Sequence, residues 1–170
     1  MTVMTGMRAR PDALAGPAPR AALTCEQRVA VALTQLEAGF HCSQSVLEAY
    51  LDDFGLDPIV MRKMGAALAG GSAAGGECGA VASGYLILGL RHGTGQPSAC
   101  QPGSEQALVT RLKRFVSEFR RRHGALTCRE LLGIDVFDRA QWETGQRRRL
   151  FATRCPGFIR DAITILEELG

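Results

Sequence analysis

The chain is short of lysine, aromatics and long apolar runs. Only Lys63 and Lys113 among its 20 basic residues are lysines, and the net charge is +3. Arginine carries that charge, which is too small to single out a polyanion as partner. Aromatics make up 6% of the chain, with one tryptophan. They are not interleaved with the arginine runs as a nucleic-acid surface requires, so no nucleic-acid partner is expected. No stretch approaches the ~20 apolar residues of a membrane helix, because the longest, around Ala80 to Leu90, contains Ser83, Gly84 and Gly89. No transmembrane segment is expected. Arg8 and Arg10 are not followed by the apolar block of about 7 to 15 residues that a signal peptide needs. A cytoplasmic location is therefore expected, where six cysteines stay reduced, catalytic or metal-bound rather than forming structural disulfides.

What is present is helical periodicity. Thr24 and Gln27 have capping-box spacing, and Val29, Ala32, Leu33 and Leu36 share one face up to Gly39. A second helix is expected from Cys42 to Gly55 through Val46, Tyr50 and Phe54, and a third is opened by Asp57 and Pro58. The glycine-rich segment 70–79 leads into a fourth, from Cys78 or Gly79 to Arg91, that is apolar nearly all round. Leu108, Leu112, Phe115, Val116 and Phe119 mark a fifth, ending near Gly124. Thr127 and Glu130 open a short sixth that Gly133 closes, and a last helix is expected to begin at Cys155 and Pro156. No segment combines strand alternation with hairpin chemistry. The expected fold is all-α, a compact bundle of about five to seven helices over residues 24–170. Residues 1–23, with Pro11, Pro17 and Pro19, are expected to be a disordered tail.

Placed on these elements, Cys42, Cys78, Cys128 and Cys155 all fall at expected helix N-termini, where unpaired N–H groups and the helix dipole stabilise a thiolate. Each shares a face with apolar residues, so all four are expected to point inward. Their separations, 78−42, 128−78 and 155−128, are 36, 50 and 27 residues. That spacing excludes a C-x-x-C knuckle, a thioredoxin motif and a ferredoxin run. The glycine-rich segment lacks the G-K-S/T ending of a P-loop. His41, beside Cys42, is a candidate ligand or proton acceptor; Cys25 and Cys100 are not assigned to the site.

These residues resemble the C_GCAxxG_C_C family of small redox-active proteins. The likeness runs from about Ala38 to Leu169 through GFHCSQSVLEAY, ECGAVASGYLILGL, TCRELLGIDV and the Arg154–Cys155 helix start. The family carries Asn where this chain has His41 and Gly where it has Ser83. The resemblance implies a redox role for Cys42, Cys78, Cys128 and Cys155 and makes iron the first metal to consider.

The expectation is a site in which these four cysteines bind an iron–sulfur cluster and pass electrons to a redox partner protein. The alternatives are a thiol–disulfide or peroxide redox protein that cycles a cysteine pair, and a structural zinc module. Residue spacing alone does not choose among them.

Overall fold

The computed structural model describes residues 23–95 and 105–170. The expected tail and Cys100 lie outside the described residues, apart from Leu23 at the end of the former. The described chain folds into nine α-helices: α1 (Cys25–Glu37), α2 (Cys42–Glu48), α3 (Leu51–Phe54), α4 (Pro58–Leu68), α5 (Gly79–His92), α6 (Gln106–His123), α7 (Cys128–Leu132), α8 (Arg139–Arg147) and α9 (Leu150–Leu169). No strand occurs among the described residues, only a single antiparallel bridge between Glu77 and Thr127.

Three of the expected starts are made as the sequence implied. Thr24 Oγ1 accepts from Gln27 N at 3.3 Å, and Gln27 Oε1 accepts from Thr24 N at 2.8 Å. Asp57 Oδ1 accepts from Val60 N at 2.9 Å, with Pro58 at the first helical position between them. Thr127 accepts from Glu130 N at 3.2 Å and returns its hydroxyl to the Glu130 carboxylate at 2.7 Å. Gly133 ends α7 in the left-handed conformation.

Nine helices among the described residues exceed the expected five to seven for two reasons. The segment read as one helix from Cys42 to Gly55 breaks at Tyr50, where φ is −122°. Arg28 Nη1 donates to the Ala49 carbonyl at 2.7 Å, taking the acceptor that Asp53 N–H would use in a continuous helix. Asp53 N turns instead to the Tyr50 carbonyl at 3.2 Å. The second reason is α8, capped by Asp138 through Gln141 N at 2.9 Å. Its single buried residue is Gly145, so it carries almost no apolar stripe for the sequence to reveal.

The last helix also begins earlier than expected, at Leu150 rather than Cys155. Pro156 therefore lies in the second turn rather than the first, and it leaves the Ala152 carbonyl without its i+4 donor. Ala152 is exposed, so water can satisfy that carbonyl. Leu150 meanwhile is buried and holds the added turn in the core.

Helices α2, α5 and α9 form the centre. Val46, Leu47, Val81, Ile87, Leu88, Ile159, Ile163 and Leu166 are buried there, with Phe115 and Phe119 of α6 against them. A polar seam crosses this core. Arg28, 3% exposed, is paired with Asp53 at 2.8 Å and Glu167 at 3.4 Å. Arg91 reaches Glu167 at 2.8 Å. Tyr50 lies under both guanidinium groups, 4.4 and 5.0 Å from its ring centroid, and its hydroxyl donates to Glu167 at 2.9 Å. Burial and the Glu167 carboxylate push the Tyr50 phenol far above its ordinary value, so it stays protonated and a donor.

Arg28→Ala leaves two partly buried carboxylates facing one remaining cation and frees the Ala49 carbonyl. Removing one member of such a buried ionic set costs roughly 3–5 kcal/mol. Urea unfolding should show a loss of that order, and a variant as stable as the parent would refute the role assigned to the seam.

Candidate functional site

The site begins with two helix starts pressed together. Cys42 is the first residue of α2, and Cys78 caps α5. Ser43 Oγ donates to the Gly65 carbonyl at 2.6 Å, fixing the first turn of α2 to α4. Ser83 Oγ donates to the Ser43 carbonyl at 2.9 Å, fixing the same turn to α5. Both serines are fully buried. Glycine is needed where the helices meet: a Cβ at Gly79 would stand 2.9 Å from Cys42 Sγ, 2.9 Å from Ser43 Cβ and 3.1 Å from Ser43 N. Ser83 therefore clamps the two helices together.

The backbone before Cys78 is held from the other side. Cys78 N donates to the Leu126 carbonyl at 2.7 Å, and the Glu77–Thr127 bridge lies beside it, so the approach to Cys128 is tied to the approach to Cys78. Gly71 makes the preceding loop possible, since at φ 85° a Cβ there would run into the backbone of Gly76.

Cys42 and Cys78 face each other. The Cys78 thiol is the largest influence holding the Cys42 thiol below its ordinary value, with N–H groups of Ala80, Ser43 and Gly79 acting in the same direction and burial opposing them. Cys78 is pushed the other way, well above its ordinary value, by giving its proton toward Cys42, by burial and by the Cys42 and Cys128 charges. Cys128, first residue of α7, is pushed up to about 11 by burial, then by the Cys42 and Asp135 charges. Cys155 is pushed up to about 12 by burial and by the Cys42 and Cys128 charges, with the Arg154 cation opposing. Charges of Cys42 and Cys128 thus act on the neighbouring thiols, and Cys42 is the one held below its ordinary value.

The four are not equivalent in position. Cys42, Cys78 and Cys128 stand at helix starts, but Cys155 lies inside α9 because that helix begins at Leu150. Cys155 accordingly has no free helix-end N–H groups to stabilise its thiolate. His41 precedes α2, exposed, and its backbone N donates to Gln44 Oε1 at 2.9 Å. Cys25 lies apart from the four, its thiol 4.0 Å from Thr164 Oγ1. Sequence reasoning missed Ser43, Gly65 and Ser83. Polar and small residues inside apolar helices were the available signal, but their partners are 22 and 40 residues away.

The donor set is four soft sulfurs, as iron–sulfur and zinc centres use. A single tetrahedral ion needs each sulfur about 2.3 Å from it. Among the described residues, no group of three or more His, Cys, Asp or Glu is arranged to hold one ion.

In the reduced, metal-free protein, Cys42 should alkylate with iodoacetamide at lower pH than Cys128 and Cys155, read by mass spectrometry. Stability should also depend on alkaline pH. Cys128 and Cys155 keep their protons to about 11 and about 12 in the fold, whereas the unfolded chain loses them at about 8.5. Their contribution is present below the unfolded value and is lost as pH rises through the folded values. Unfolding free energy that stays flat over that window would refute the buried placement of the two thiols.

No curated protein and no solved structure matches the chain. Residues 40–169 match a family described as "Putative redox-active protein (C_GCAxxG_C_C)", a span that contains Cys42, Cys78, Cys128 and Cys155. With three-quarters of its length inside that match, the chain belongs to the C_GCAxxG_C_C family of redox-active proteins.

Proposed function

We propose that Cys42, Cys78, Cys128 and Cys155 form a redox centre that holds an iron–sulfur cluster and exchanges single electrons with a partner protein. What supports this reading is that four helices each carry one of the thiols and that the Cys42 and Cys128 charges act on Cys78 and Cys155. A dithiol mechanism uses two sulfurs and gives no role to two further buried thiols. Thiolates are the ligating form, and N–H groups at Ser43, Gly79 and Ala80 already favour one at Cys42. The cluster would supply accessible one-electron chemistry, which zinc cannot. The polypeptide would contribute the four ligands and the Ser43 and Ser83 clamps that fix two of them.

A second reading is favoured by the Cys42–Cys78 pair itself. The Cys42 thiolate would attack a substrate disulfide, displacing one thiolate, which takes up a proton. The Cys78 thiol, losing its proton, would then attack the Cys42 sulfur of the mixed disulfide and release the second thiol. Two electrons pass from the dithiol to the substrate, and an internal disulfide remains.

Protein purified without oxygen should carry iron and acid-labile sulfide. Serine at Cys42, Cys78, Cys128 or Cys155 should lower both, while serine at Cys25 or Cys100 should not. A colourless, metal-free protein whose alkylation pattern shows a reversible Cys42–Cys78 pair would overturn the cluster in favour of the dithiol.

A further inference from the structure

Seven of the fifteen arginines among the described residues have a carboxylate opposite them. Arg28, Arg62, Arg91, Arg121, Arg122, Arg129 and Arg139 are each paired with Asp or Glu. Arg147, Arg148 and Arg149 are among the eight that do not. They are consecutive and exposed at the turn from α8 to α9, and no ion pair reaches any of them among the described residues; Arg147 only donates to Thr144 Oγ1 at 3.0 Å.

Arg149 also occupies strained backbone. Its φ is 55°, one of three positive-φ residues other than glycine among the described residues. Glycine or asparagine would sit there at lower cost, so the fold holds an arginine side chain in a conformation that disfavours it. Such strain points to a role for the side chain outside folding. Two large aromatics are exposed in the neighbouring segment, Phe137 at 57% and Trp142 at 43%. Arginine and tryptophan together are the residue types that anchor protein interfaces.

The turn is also connected to the thiols. Arg149 precedes Cys155 by six residues in one helical run, about 9 Å along the axis. Arg154 donates to the Leu131 carbonyl at 3.1 Å, joining α9 to the helix that starts at Cys128, and its cation bears on the Cys155 thiol.

We propose that Arg147, Arg148 and Arg149, with the exposed Trp142 of the preceding helix, form a docking surface for an acidic protein partner. The proposal rests on the redox reading only for the purpose of the docking, since electrons would enter or leave by the Cys128–Cys155 side. Binding itself requires only the charge and the aromatic anchor. Contacts of this kind speed encounter and weaken with salt.

The test uses the full chain with an acidic flavodoxin as probe, and fluorescence anisotropy as readout, at low and high salt. Binding should appear at low salt and fade as salt rises. The triple variant Arg147→Glu, Arg148→Glu, Arg149→Glu should weaken it by roughly tenfold or more. A control triple, Arg111→Glu, Lys113→Glu, Arg114→Glu on α6, should change it by less than about twofold. Arg149→Gly guards against misfolding as an explanation, because it should leave the melting temperature equal or higher while weakening binding. Equal loss in the two triples, or unchanged binding in the α8–α9 triple, would overturn the proposal. So would tighter binding to single-stranded DNA or to phosphatidylserine vesicles that the same triple abolishes. If flavodoxin binds as expected but no electron passes to the thiol centre, the redox reading falls and the docking surface stands.

Discussion

The contact on which the rest of the site depends is the close crossing of two helix starts, α2 against α5, at Gly79. A side chain there would meet Cys42 Sγ and Ser43 at 2.9 Å. Because nothing intervenes, N–H groups from both helices converge on one sulfur, and Cys42 becomes the favoured thiolate while its neighbours keep their protons. Ser43 and Ser83 hold that crossing with buried hydroxyls given to carbonyls, a use of polar groups that costs little only when every partner is present.

The polar seam of Arg28, Tyr50, Asp53, Arg91 and Glu167 does for the far end of α2 what the serines do for its start. Arg28 stops the helix by taking the Ala49 carbonyl, and Tyr50 then turns under two cations toward α9. A short α2 is the result, fixed at both ends and offering Cys42 at the first. The seam ties α1 and α3 to α5 and α9 through Arg28, Asp53, Arg91 and Glu167, and α5 and α9 also carry Cys78 and Cys155, so seam and site share two helices.

Local chemistry was legible. Thr24, Asp57 and Thr127 cap where their spacing said, Gly133 stops α7, and the apolar run after Cys78 is the buried α5. Other elements were not legible because a distant group decides them. The break at Tyr50 is made by Arg28, 21 residues from the carbonyl it captures. The early start of α9 depends on whether Leu150 is buried and Ala152 exposed, which the sequence around Pro156 does not state. Helix α8 hides because one buried glycine leaves no periodic stripe.

The same division runs through the site. The sequence by itself determined that the chain is helical, that Cys42, Cys78 and Cys128 stand at helix starts, and which family pattern they follow, because caps and periodicities act within a few residues. Only the tertiary structure decided that Cys155 lies inside a helix, that N–H groups and Cys78 hold the Cys42 thiol below its ordinary value, and that Ser43 and Ser83 clamp its helix. Those outcomes depend on burial and on charges and carbonyls brought near from other elements, and no local spacing encodes which groups the folded chain will bring together.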